Sequence, residues 1–175
     1  MRFGDAVAKL LQSGATGPVI DKIPRFSVSE YEIDTEVNGV RVLAFIDTFD
    51  PKRIAFDEYK TGHANRKGEA PWDPVKVRKH GQLPFYAAAL HALHGKVHPI
   101  CHLHWMETEA KAYTEDFGGI ILQGTDVRNL RLTGRIETFP RKIEKWEITL
   151  IGNQIRRVAE EISKDYTLFE KGMLE

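Results

Sequence analysis

Residues 28–62 read VSEYEIDTEV-NG-VRVLAFIDTF-DPKR-IAFDEYKTG, and this stretch decides the fold. From Val28 the texture changes to that of strands, through SEYEIDTEV. Asn38-Gly39 follows, a dipeptide that tolerates the left-handed backbone of a tight hairpin turn. From Val40 a second run, rich in β-branched and aromatic residues, ends near Asp47. Asp50-Pro51-Lys52-Arg53 is turn chemistry, and IAFDEYK is a third strand. The stretch therefore predicts an antiparallel meander over residues 28–60.

Outward from the meander the periodicity changes. Upstream, Phe3, Val7, Leu10 and Leu11 fall on one helical face, with Gly14 as its cap, and GATGPVIDKIP is loop. Downstream, Thr61 to Trp72 is polar and glycine-containing, also loop. Asp73-Pro74 predicts a helix start. That helix runs to about His94 along Leu83, Ala87, Leu90 and Leu93, with Pro84 kinking it or marking its true start. HPICHLHWMET is a fourth strand. Residues 113–139 carry no decisive period. Ile148, Ile151, Ile155, Val158 and Ile162 predict a helix from Lys142 to about Asp165. The fold class expected is α/β, a central mixed sheet with an antiparallel meander flanked by helices, built as a single domain over residues 1–175.

Composition narrows the class of function. The chain has 175 residues and 25 basic against 25 acidic side chains, so its formal net charge is zero. Global charge thus carries no nucleic-acid signal, and any such function rests on local chemistry. The single cysteine, Cys101, excludes an internal disulfide, a four-cysteine zinc cage and a four-cysteine iron–sulfur cluster, and a reducing, cytoplasmic compartment is the simple reading. The opening MRFGDAVAKLLQSG is too polar for a signal peptide. No run approaches the ~18 apolar residues of a membrane helix.

The chemistry sits in the second hairpin. With Asp50–Arg53 as a four-residue connection, Phe49 faces Ile54 and Asp47 faces Phe56. Alternation then puts Phe56, Glu58 and Lys60 on the face of Asp47, with Glu58 diagonal to it. Two carboxylates and an ammonium in a small volume are what phosphodiester hydrolysis needs. Carboxylate oxygens hold a hard ion, Mg²⁺ or Mn²⁺; the ion activates water and neutralises developing charge; the lysine orients the water or stabilises the transition state. Asp47 and Glu58 are the candidate ligands, with the main-chain carbonyl of Tyr59 as a third. A plain cross-strand ion pair, stabilising by about 0.2–1 kcal/mol, is the alternative for the same residues.

Three runs in order carry a resemblance: Val42-Leu43-Ala44-Phe45-Ile46-Asp47, Ile54-Ala55-Phe56-Asp57-Glu58-Tyr59-Lys60-Thr61-Gly62 and Gln82-Leu83-Pro84-Phe85-Tyr86. Together they resemble the RecB-type exonuclease branch of the PD-(D/E)XK nuclease superfamily, well over residues 28–92 and loosely beyond. The resemblance implies a restriction-endonuclease-like core. It implies metal binding by Asp47, the catalytic acid and lysine at Glu58 and Lys60, and DNA contact near the scissile phosphate by Gln82 and Tyr86. These last two lie four apart on one helix face. It further implies a metal-dependent deoxyribonuclease, an exonuclease of recombination, repair or phage DNA metabolism, acting on DNA beside a recombination or repair partner protein. A structure-selective endonuclease and a non-catalytic DNA-binding adaptor that retains the fold stand as alternatives.

The chain departs from the pattern twice. Ala44 replaces the glycine before the aspartate. Ala8 stands where many relatives carry a metal-binding histidine four residues after a glycine, here Gly4. Glu30 is the best substitute ligand and Glu32 the next; a solvated edge strand explains both equally simply.

Two further clusters need weighing. Arg66, Lys67, Lys76, Arg78, Lys79 and His80 surround Trp72, and such basic groups with an aromatic suit phosphates and unpaired bases; Arg78, Lys79 and Trp72 are the DNA-binding candidates. A second basic cluster is Arg128, Arg131, Arg135 and Arg141-Lys142. Solvated surface accounts for either one. His98, His102 and His104 invite a zinc reading, but no cysteine or carboxylate at ligand spacing completes a site, so a partly buried polar strand face is expected.

Overall fold

The computed structural model describes residues 21–95, 99–109, 112–117, 120–125 and 130–170, with backbone alone for 112–125 and 168–170. The helix expected near Phe3–Leu11 lies outside the described residues. The strands are β1 (Val28–Val37), β2 (Val40–Asp50), β3 (Ala55–Gly62), β4 (Ile100–Glu109), β5 (Ala112–Phe117), β6 (Ile120–Thr125) and β7 (Arg131–Lys142). The helices are α1 (Pro74–Lys79), α2 (Gln82–His94) and α3 (Lys145–Glu170). Five strands form one mixed sheet in the order β1-β2-β3-β4-β7, flanked by helices, and β5 pairs with β6 in a second, two-stranded sheet.

The described residues cluster into two compact units. Among the described residues, one comprises Arg25–Glu58, Val75–His102 and residues 140–170; the other comprises residues 21–24, Tyr59–Pro74 and those between Leu103 and Phe139.

In the first unit the meander forms as expected. Asn38 (φ 50°) and Gly39 (φ 82°) make the β1–β2 turn, both in the left-handed region that such a turn requires. Ile33, Val37, Val42, Ala44 and Ile46 are buried while Leu43 and Phe45 are exposed, so the alternation in sequence becomes an inside and an outside. Helices α2 and α3 pack on β1 and β2 and on each other. Burying a side chain the size of Ile33, Ile46 or Phe49 stabilises by about 1.5–3 kcal/mol each.

The β2–β3 register differs from the expected one. Thr48 faces Asp57, Phe49 faces Phe56 and Asp50 faces Ala55. Residues 51–54 are therefore the connection. Asp50 stays in the strand because its Oδ1 accepts the N–H groups of Lys52 (2.9 Å) and Arg53 (3.4 Å), an Asx turn that starts one residue later. Ile54, at φ 52°, completes the reversal. The slip relative to expectation is two residues. A one-residue slip would have exchanged the faces; a slip of two preserves them.

Other boundaries shift too. The predicted single helix from Asp73 to His94 is two, broken at His80-Gly81. Pro84 is the third residue of α2, in the first turn, where its missing N–H has no intrahelical partner to lose. Gly95 (φ 62°) ends α2 in the left-handed region and donates its N–H to the His91 carbonyl. Lys142 belongs to β7, and α3 starts at Lys145. There Glu147 accepts the N–H of Glu144 at 2.9 Å, a helix cap that fixes the start. The second unit holds the β5–β6 hairpin and the buried Trp105, whose ring lies under the Arg135 guanidinium at 5.4 Å.

Candidate active site

Glu58 is 3% exposed in β3. Its neighbour Asp57 pairs with Thr48, the neighbour of Asp47, so Glu58 and Asp47 both lie next to the Thr48–Asp57 pair of the β2–β3 ladder. Asp47 is half-buried.

Asp47 also marks an irregularity. Ser29 faces Thr48 and Tyr31 faces Ile46, which leaves Glu30 across from Asp47. Glu30 has φ 50°, a left-handed backbone that costs a non-glycine residue roughly 1–2 kcal/mol. Burial alternates along β2 up to Ile46, then Thr48 and Phe49 are both buried. The Tyr31 and Phe49 rings stack at 4.3 Å, and both reach His94 of α2. Phe49 therefore shares the helix side with Tyr31, and the strict alternation of β2 is interrupted around Asp47. Glu30, the substitute ligand, sits at that kink with an exposed side chain; Glu32 is exposed two residues on.

Helix α2 brings the third run to the carboxylates. Tyr86 is 7% exposed and packs edge-on against Phe56 at 5.9 Å. Gln82 Nε2 donates to the Tyr86 hydroxyl at 2.5 Å. The Tyr86 hydroxyl is pushed above its ordinary pKa, chiefly by burial; the Gln82 hydrogen bond opposes this, and the negative charges of Glu58 and Asp47 add to it. Both carboxylates therefore act electrostatically on the helix residue that the sequence paired with them. The all-oxygen set of Asp47 and Glu58 fits a hard divalent ion such as Mg²⁺ or Mn²⁺.

Tyr59 and Lys60 continue β3 beyond Glu58, both half-buried, and the Tyr59 hydroxyl donates to the Pro24 carbonyl. Trp72 is half-buried in the loop before α1, and Arg78 and Lys79 end α1 with exposed side chains. The second basic cluster is neutralised. Arg131 pairs with Glu109, Arg135 with Glu137 and Glu107, and Arg141 with Glu147, while Arg128 lies outside the described residues.

One group escaped the sequence. Asp57, His102 and His104 each offer a ligand atom, all within 4.8 Å of one another, so residues able to hold a metal ion are present here. The missing carboxylate comes from β3, 45 residues before His102. Spacing along β4 could not reveal it, because strand pairing, not sequence proximity, supplies it. His98 lies outside the described residues.

No family model matches the chain, and no curated protein matches it. A crystal structure of a candidate exonuclease from Eubacterium rectale is similar at TM-score 0.47 with 9% identity, over 98% of this chain and 54% of that one. The chain thus spans about half the length of that protein. Among the described residues no helix is long and apolar enough to cross a membrane.

Proposed function

We propose that this chain is a metal-dependent nuclease of the PD-(D/E)XK type that hydrolyses DNA phosphodiester bonds. The observation that carries the reading is buried Glu58, next in β3 after Asp57, whose partner Thr48 adjoins Asp47 in β2, with the charges of Glu58 and Asp47 both acting on Tyr86 of α2. Asp47 and Glu58, with the Tyr59 carbonyl and Glu30, would hold Mg²⁺ or Mn²⁺, which would supply an activated water and neutralise charge on the phosphoryl group. Lys60 orients that water and offsets charge in the transition state. Gln82 and Tyr86 hold the DNA backbone near the scissile phosphate, while Arg78 and Lys79 bind flanking phosphates and Trp72 stacks on an unpaired base.

The order of the three motifs supports an exonuclease acting on DNA ends in recombination, repair or phage DNA metabolism, with a partner protein of that pathway. The test is cleavage of end-labelled linear DNA, single- and double-stranded, in Mg²⁺, Mn²⁺ or EDTA, beside Lys60→Ala. Expected is metal-dependent cutting from the ends, with kcat lowered by about 10²–10³ in the variant. Internal cuts would favour the structure-selective endonuclease. Absence of cutting by folded protein in either metal would favour the DNA-binding adaptor, the reading that Ala8 in place of histidine supports.

A further inference from the structure

We propose that Asp57, His102 and His104 form a second metal site, of the zinc class, on the face of β3 opposite Glu58. Asp57 and Glu58 are consecutive strand residues, and their side chains leave opposite faces. Phe56 meets Tyr86 of α2, and Glu58 acts on the same tyrosine, so that face is the helix face. Asp57 instead meets Thr48 and His102. The ion of the proposed nuclease centre and the ion of this cluster are therefore separated by the sheet itself.

The donor set selects the chemistry. Two imidazoles and one carboxylate suit Zn²⁺, Co²⁺ or Ni²⁺, whereas Mg²⁺ prefers oxygen ligands alone. Alternation along β4 puts His102 and His104 on one face, and the three ligand atoms lie within 4.8 Å of one another. The ligands are also held from behind. The Thr48 hydroxyl donates to Asp57 Oδ2 at 3.3 Å, leaving Oδ1 toward His102 at 2.9 Å. Thr138 Oγ1 lies 2.8 Å from His104 Nδ1 and orients the ring. Such outer partners orient metal ligands, and their loss typically costs about 10–100-fold in affinity. Asp57 and His104 are each 2% exposed, so the site is shielded, while half-exposed His102 gives an ion its way in. Three protein ligands leave a fourth, open position on a tetrahedral ion. A hydrogen-bonded aspartate–histidine pair would account for Asp57 and His102 alone; it does not account for the convergence of His104 with its own threonine support.

The test uses the full, untagged chain and Co²⁺ or Zn²⁺ as the probe, titrated in excess Mg²⁺. Expected is one equivalent bound per chain, visible as the ligand-field absorption of Co²⁺ on nitrogen ligands and as a rise in Tm with Zn²⁺. Affinity should fall by at least ~10–100-fold in His102→Gln and in His104→Gln. It should be unchanged in Glu58→Gln, which leaves this face intact. Circular dichroism identifies any variant that fails to fold, and the two histidine variants back each other. Wild-type affinity in both folded histidine variants would overturn the proposal. So would loss of Co²⁺ binding in Glu58→Gln alone, which would place the ion at the nuclease centre.

Discussion

Asp57 and Glu58 follow one another in β3, are 2% and 3% exposed, and serve opposite faces of one sheet. Strand geometry forces this, since neighbouring side chains point in opposite directions. A run of five buried residues, Ile54 to Glu58, thus feeds two chemically different environments.

Tyr86 should resist ionisation well into the alkaline range. Its folded-state pKa is raised above the unfolded value near 10, chiefly by burial, with Glu58 and Asp47 adding. A raised pKa contributes stability that is fully present below about pH 10 and lost as pH climbs through the folded value. Thermal melts from pH 8 to pH 11 should show this alkaline loss in the wild type, and Tyr86→Phe should flatten it. An equally steep loss in the variant would assign the effect elsewhere.

Cys101 should be inert in the native state. It is fully buried, its thiol hydrogen-bonds the Arg141 carbonyl, and its pKa is pushed up to about 12, mainly by burial. Arg141 pulls it down, and the charges of Asp57 and Glu147 push it further up. The thiolate is the reactive form. Iodoacetamide at pH 8 should label the chain only in denaturant, and rapid native labelling would contradict the packing described.

Arg141→Ala should be among the most destabilising single substitutions outside the core. The Arg141 and Glu147 side chains are 10% and 11% exposed and paired, and Arg141 also donates to the carbonyls of Lys142 and Arg78. Its removal leaves Glu147 nearly buried without its countercharge, a loss of about 3 kcal/mol. Urea denaturation measures it; a change under about 1 kcal/mol would show that water replaces the guanidinium.

Glu30→Gly separates backbone from side chain. Glycine relieves the left-handed strain at φ 50°, so stability should rise by about 0.5–1 kcal/mol. If Glu30 also ligates the catalytic ion, the Mn²⁺ requirement for cleavage should shift to higher concentration at the same time. A more stable variant with unchanged Mn²⁺ dependence would remove Glu30 from the proposed ligand set.

The meander, its Asn38-Gly39 turn and the helical spacing of Gln82 and Tyr86 were legible in the chain, because each rests on local rules. Alternation, left-handed turn residues and helical spacing act over a few residues. The β2–β3 register was misread by two because Asp50 could end the strand or begin the turn, and its Asx hydrogen bonds decide between them. A slip of two leaves the faces of a strand unexchanged, whereas a slip of one would have exchanged them.

What the sequence by itself determined is the order of strands and helices through the meander and α2, and the residue types that suit hydrolysis at β2 and β3. What only the tertiary structure decided is which residues meet across long separations. The approach of Tyr86 to Asp47 and Glu58 depends on how α2 lies on the sheet. The meeting of Asp57 with His102 depends on β3 and β4 being neighbours. Such contacts are set by burial of apolar faces summed over the whole sheet, and no window of sequence contains that sum.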